Sequence, residues 1–556
     1  MTKISSRFFA AFIGVSALMC GIAFTSGGLA SEKAPVVNPP AGQLQGVRED
    51  DAVVFRAIPY AAPPVGDRRW RPPAPMPRWD GIRAAEQKGV ACMQPLMAEG
   101  TYDRGRIKMS EDCLTLDVTA SANARKAPVM VWIHGGTLIW GTAHSKMYDS
   151  REFAKRGIVL VSINYRLGVL GYLAHPELSR ESEENISGNY GLMDQMAALR
   201  WVRENIEAFG GDASNVTIFG ESAGALSVEY LLASPRARGL FDKAIVQSGY
   251  LFTMPELREA RYEEKSAEAI GVELAEKLGV SGISELRAME ALSLVDRTAK
   301  AGYAPYGTID GKILKRQLVD TFDRGEQAPV PLMAGFTSGE VRSLRFLLPP
   351  LPETTEAYAS DISARYGDLA ETYLGLYPPQ DLEEIQLDAA RDVVFGWASE
   401  RLVRKQAALG QPSYLYLFSH SYPAANEANL EAFHASEVPF VFGSLKGTPE
   451  GWPAIPDTEA ERNISGAMLD YWTSFARDGQ PTSGRGPDWT KFASGRAYME
   501  FGEVPTLSRD LFPGMYELHE QVMCRRRLSG KQSWNWRTGS IAPVLPKPAQ
   551  QCSVRP

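Results

Sequence analysis

Short apolar runs alternate with longer amphipathic stretches along this chain, which predicts an α/β fold: a large, mostly parallel central sheet covered by helices on both faces. Three observations carry that expectation. Apolar runs at 129–133, 158–163, 216–219, 244–247, 332–335 and 414–418 have strand length and are spaced for crossovers. Between the second and third, residues 191–208 set Leu192, Met196, Leu199, Val202 and Ile206 at helical spacing, so that stripe belongs to a core. The 216–219 run then enters Gly220-Glu221-Ser222-Ala223-Gly224 before a helical stretch, the strand–turn–helix context of a G-x-S-x-G nucleophile elbow.

In chain order, Lys3 and Arg7 precede an apolar run from Phe8 to Phe24, with Gly28-Leu29-Ala30 as a small-residue cleavage site. Residues 1–30 therefore read as a signal peptide, and the protein as exported, periplasmic or secreted. An uncleaved membrane anchor is the alternative; after cleavage no stable membrane partner is expected. Residues 31–50 lead into edge strands, and 54–61, followed by Pro63, Pro64, Pro72 and Pro73, reads as a proline-punctuated surface segment. Two helical stretches, about 253–300 and 353–410, interrupt the alternation and read as insertions over the active site. No Ser- or Gly-rich linker occurs, so 31–556 is expected to form one domain.

Once Cys20 is removed with the leader, Cys92, Cys113, Cys524 and Cys552 remain, an even count that suggests two disulfides in an exported chain. Proximity favours Cys92–Cys113 and Cys524–Cys552 among three possible pairings. The net charge of −7 argues against a nucleic-acid partner. Six histidines occur without an H-E-x-x-H, paired C-x-x-C, P-loop or G-x-G-x-x-G, so no metal or other cofactor is expected.

Ligands of open α/β sheets sit beyond the carboxyl ends of the strands. There the chain places His134-Gly135-Gly136-Thr137, then Ser222, then Thr337-Ser338-Gly339-Glu340, then Phe433-His434-Ala435-Ser436-Glu437. These are parts for acyl transfer in the order serine, acid, histidine. A serine hydroxyl needs a base, so His434 is expected to take its proton and Glu340 to orient the imidazole. Backbone N–H groups of Gly136, Thr137 and Ala223 are the candidate oxyanion hole. His420 is the rival base; Asp310 and Asp392 are rival acids. Glu221 reads as a buried support residue with Ser248 as its partner. Trp140, Phe252, Phe346, Phe395 and Trp397 are candidates for the acyl or alcohol pocket. Arg342 and Arg345 follow Glu340 and raise the question of an anionic substrate, against a plain reading as solvated arginines.

These stretches, with Phe55-Arg56-Ala57-Ile58-Pro59-Tyr60-Ala61, Glu111-Asp112-Cys113-Leu114, Asn164-Tyr165-Arg166-Leu167-Gly168, Phe209-Gly210-Gly211-Asp212 and Tyr471-Trp472, resemble the type-B carboxylesterases, the cholinesterase-like branch of the α/β-hydrolases. The resemblance runs from about Gly42 to Phe492. It implies an α/β-hydrolase fold and a serine carboxylesterase acting on a small-molecule ester, with Ser222, Glu340 and His434 as triad. It also implies a Cys92–Cys113 bridge and a buried Arg166–Asp194 ion pair. Two positions depart from the family: Thr137 replaces a third oxyanion-loop glycine, which puts bulky tertiary-alcohol esters in doubt, and Gly339 stands where an aspartate is common. Lipase, amidase or acyltransferase chemistry on the same frame is the nearest rival, and a non-catalytic binding protein the next. Neither the particular ester nor an oligomeric state is set by these residues.

Overall fold

Val129, Val131 and Ile133 alternate with Met130 and Trp132, and that alternation builds two cores, one on each side of a sheet. The computed structural model describes residues 34–96, 107–534 and 537–552; the expected leader at 1–30 lies outside the described residues. The central sheet has 11 strands. In chain order they are β1 (Val47–Glu49), β2 (Ala52–Pro59), β3 (Thr115–Ser121), β4 (Ala127–Ile133), β5 (Val159–Ile163), β6 (Gly211–Glu221), β7 (Lys243–Gln247), β8 (Leu332–Thr337), β9 (Ser413–Phe418), β10 (Ala497–Phe501) and β11 (Pro505–Arg509). Across the sheet the order is β11-β10-β9-β8-β7-β6-β4-β5-β3-β2-β1. Every pairing from β5 across to β10 is parallel. The flanking pairings β1–β2, β2–β3, β3–β5 and β10–β11 are antiparallel.

All six apolar runs expected as strands lie in this parallel region, and they carry almost no solvent-exposed side chain. Burial on both faces explains why they read as continuous apolar stretches. Helices Tyr190–Asn205 and Ala223–Ala233 cover one face, with Leu192, Leu199 and Leu226 in its core. Helix Glu459–Asp478 covers the other through Met468, Trp472 and Phe475.

The segment at 54–61 departs from the expectation of a surface stretch. Most of it is β2, with Val54, Phe55 and Ile58 buried, and a bulge at Arg56-Ala57 shifts its register against β3. Ala57 takes φ 52° there, so the bulge breaks the period-2 pattern that marks a strand in sequence.

Residues Pro35–Pro556 form one compact unit. Within 253–300, helices occupy Ala267–Lys277, Ile283–Ala288 and Ala291–Lys300, while the residues before Ala267 are turns and loop. Within 353–410 they occupy Thr355–Tyr366, Ala370–Leu376, Leu382–Arg391 and Trp397–Ala408. Disulfides join Cys92 to Cys113 and Cys524 to Cys552, closing separations of 21 and 28 residues. Each is worth about 3 kcal/mol in the chain-entropy model. Among the described residues no helix is long and apolar enough to cross a membrane.

Candidate active site

The sharp turn after β6 is forced by contact with its neighbour β4. A Cβ on Gly224 would lie 2.1 Å from the Ile133 carbonyl oxygen, and one on Gly220 would lie 2.5 Å from the Gly224 carbonyl carbon. Only glycine fits either position. Ser222 sits between them at φ 57°, ψ −122°, a conformation that a non-glycine residue holds only when its surroundings impose it. Its own N–H donates to the Gln247 carbonyl at 2.9 Å, fastening the turn to the end of β7. Ala223 opens the following helix, so its amide has no intrahelical acceptor.

The His134–Gly136 loop leaves β4 beside this turn. A Cβ on Gly135 would meet the Glu221 carbonyl oxygen at 2.6 Å, and one on Gly136 the Trp140 carbonyl oxygen at 2.2 Å. Gly136, Thr137 and Leu138 all have positive φ, and the Thr137 hydroxyl donates to the Gly136 carbonyl at 2.8 Å. Tyr165 stacks on His134 at 4.6 Å and donates to its carbonyl at 2.7 Å, which holds the loop from behind.

His434 and Glu340, 94 residues apart, meet at the ends of β8 and β9. Glu340 is fully buried; one oxygen accepts from the Thr337 N–H at 2.9 Å and the other pairs with His434 Nδ1. Backbone pairing brings the two loops together: the Gly339 N–H donates to the Ala432 carbonyl at 2.8 Å, in a bridge that also matches Gly339 with Phe433. A Cβ at 339 would lie 2.9 Å from the carbonyl oxygens of both Ala432 and Leu430. Here the departure from the family pattern has a physical reason, since this close approach favours glycine.

On its other edge, His434 Nε2 lies 3.2 Å from a carboxylate oxygen of Glu221, the residue preceding Ser222. Burial opposes the charged imidazole, but Glu221, Glu340 and Glu437 outweigh it and hold His434 up to about 9. Glu437 is pushed up to about 8, by burial first and then by Glu221 and Glu340. Gln247 donates to it at 3.2 Å and accepts from Trp472 Nε1 at 3.1 Å. The role of Glu437 was missed in sequence, although it lies three positions past His434; nothing local marks a buried carboxyl.

Several candidates resolve differently from expectation. Ser248 does not hold Glu221: its buried hydroxyl has no hydrogen-bond partner among the described residues, while Glu221 faces His434. His420 sits 3.7 Å from Glu461, Asp310 caps the backbone N–H groups of residues 312–314, and Asp392 pairs with Tyr377 and Arg391. Of the aromatic candidates, Phe395 lies 5.3 Å from the His434 ring, and Tyr250 joins Phe395 to Phe252 at 6.3 and 4.7 Å. Trp140 is half-buried just beyond the His134–Thr137 loop, its indole donating to the Pro95 carbonyl. Phe346 and Trp397 do not line a pocket with them. Phe346 is 79% exposed at the surface, and Trp397 is 1% exposed, donating to Glu520 on the helix Met515–Ser529. Arg342 is no solvated arginine; it is buried against Glu384, Glu431 and Asn429, and Arg345 pairs with Glu383. Both cations are already neutralised. Arg166 and Asp194 form the implied buried pair, bidentate at 2.7 Å.

Residues 33–518 match a family model described as the carboxylesterase family. The chain belongs to the carboxylesterase family. It is 36% identical over 485 residues to a fumonisin B1 esterase of Sphingopyxis macrogoltabida, covering 83% of this chain and 85% of that one. It is 34% identical over 457 residues to a para-nitrobenzyl esterase of Bacillus subtilis (strain 168), covering 81% and 91%. A solved PNB esterase superposes with a TM-score of 0.76 at 30% identity, covering 87% of this chain and 99% of that one. A Geobacillus stearothermophilus carboxylesterase gives 0.69 at 32% identity, covering 89% and 100%. The fold of this family member is the α/β-hydrolase fold, and the protein is a carboxylic-ester hydrolase.

Proposed function

We propose that this esterase works through an acyl-enzyme formed on Ser222, with His434 as general base and acid and Glu340 as the orienting carboxylate. The observation that carries the reading is His434 held at Nδ1 by Glu340, with Nε2 turned toward the Glu221-Ser222 turn. Ser222 Oγ attacks the ester carbonyl carbon while its proton passes to His434 Nε2. Gly136, Thr137 and Ala223 amides stabilise the resulting oxyanion, each worth about 3 kcal/mol. Collapse breaks the C–O bond to the alcohol, which leaves with the proton from His434. Water then adds to the acyl-enzyme by the same route, releasing the carboxylic acid and restoring Ser222.

The names of the relatives support a small-molecule ester as substrate, with the Thr137 side chain disfavouring bulky tertiary alcohols. Two disulfides support work in an oxidising compartment after export. The test is covalent labelling by an organophosphate, mapped to Ser222, beside hydrolysis of a p-nitrophenyl ester panel. Ser222→Ala is expected to lose the label and to lower kcat by about 10⁶-fold. Retained turnover in that variant sinks the assignment.

A further inference from the structure

Beyond the match to the family model, which ends at residue 518, the chain continues as a tail anchored to helix Met515–Ser529 by the Cys524–Cys552 disulfide. The tail touches both helical insertions. On one side it meets the insertion at 353–410: Arg365 donates to the Ala542 carbonyl at 2.7 Å, and the Leu545 N–H donates back to the Arg365 carbonyl at 2.7 Å. The Gly539 N–H donates to the Tyr366 hydroxyl at 3.0 Å.

On the other side, Trp534 is 2% exposed and grips the start of the first insertion. Its indole N–H donates to the Leu251 carbonyl at 2.7 Å, and its backbone N–H donates to the Thr253 hydroxyl at 3.1 Å. The indole also meets Tyr262 edge-on at 5.1 Å. Leu251 and Thr253 are the two chain neighbours of Phe252, whose ring continues through Tyr250 and Phe395 to His434. A buried tryptophan thus holds both backbone neighbours of the aromatic that leads to the site.

We propose that Trp534 and the disulfide-anchored tail are specificity-determining, setting the position of Phe252 and with it the length and shape of acyl group accepted at Ser222. Trp534 is a positioning residue, acting on substrate only through 251–253. The inference rests on the Ser222–His434 reading of the site.

The test uses the full chain with Trp534→Ala, and separately Cys524→Ser with Cys552→Ser, on p-nitrophenyl acetate and octanoate. Pocket contacts of a methylene or more are worth tenfold to a hundredfold in kcat/KM, so the octanoate-to-acetate ratio is expected to shift by about tenfold, chiefly through KM. Acetate turnover and organophosphate labelling stay near the parent level. Amide hydrogen exchange at 251–254 is expected to speed up in the same variants. An unchanged ratio or unchanged exchange in a folded variant overturns the proposal. Where Trp534→Ala does not fold, Trp534→Phe removes the indole donor while keeping an aromatic ring, and the same two readouts decide. The two readings fail separately: turnover in Ser222→Ala removes the nucleophile assignment, whereas an unmoved ratio with Ser222 still labelled removes the tail from specificity.

Discussion

Replacing Glu221 with glutamine removes a negative charge 3.2 Å from His434 Nε2 while keeping the shape of the side chain. Glu221 is the foremost of the charges that raise His434 to about 9. An opposite charge at this range shifts a pKa by about 1–3 units, so the imidazole of Glu221→Gln should titrate at roughly 6–8. In the proposed mechanism the His434 imidazole must be neutral to accept the serine proton. In the parent enzyme kcat/KM should therefore climb with pH until close to 9, and in the variant its acidic limb should move down by at least one unit, or about tenfold in proton concentration. The assay is kcat/KM for p-nitrophenyl acetate from pH 5 upward, corrected for spontaneous hydrolysis. Limb position, rather than maximal rate, is the readout, because the substitution also touches the turn that carries Ser222. Superimposable limbs would show that Glu221 does not set the protonation of the base. The same linkage bears on stability. His434 has a raised folded pKa, so its contribution is complete below about 6.5 and disappears as pH rises through about 9, a loss of about 3 kcal/mol. Urea melts of the parent at these two pH values should show that fall, with a smaller one in Glu221→Gln.

Three further outcomes follow from the packing. Gly224→Ala puts a methyl 2.1 Å from the Ile133 carbonyl oxygen, so the folded protein should lose more than about 3 kcal/mol or fail to accumulate, as read by thermal melting. Asp194→Asn leaves the buried Arg166 guanidinium without its counter-charge and should cost about 3–5 kcal/mol in denaturant titration, with the acyl-chain profile little changed. Arg342→Ala should leave the ratio of rates on anionic and neutral esters unaltered, because Glu384 and Glu431 already neutralise that guanidinium; a fall in the anionic rate alone would contradict this.

Much of the fold was readable because each inner strand is buried on both faces and so spells a continuous apolar run. The strands that escaped notice are the flanking ones. β10 alternates buried and part-buried residues over a short span, β3 does so only in its first half, and β2 carries a bulge that interrupts its period. In the site, Ser222 was marked by two glycines whose need for close backbone approach is local. Glu340 was marked by lying just past a strand end, and His434 by following the last apolar run in the expected order of serine, acid and histidine. The sequence by itself thus determined the sheet, the elbow and the chemical types gathered at one edge of it, since these follow from periodicity and from what a backbone tolerates. Only the tertiary structure decided that Glu221 faces the imidazole rather than Ser248, that burial raises the Glu437 carboxyl, and that Arg342 is spent on an ion pair. It alone decided that Trp397 belongs to the core and that the tail reaches Phe252. Those outcomes depend on distances between residues far apart in the chain, and neither charge nor burial at one position is written in that position alone.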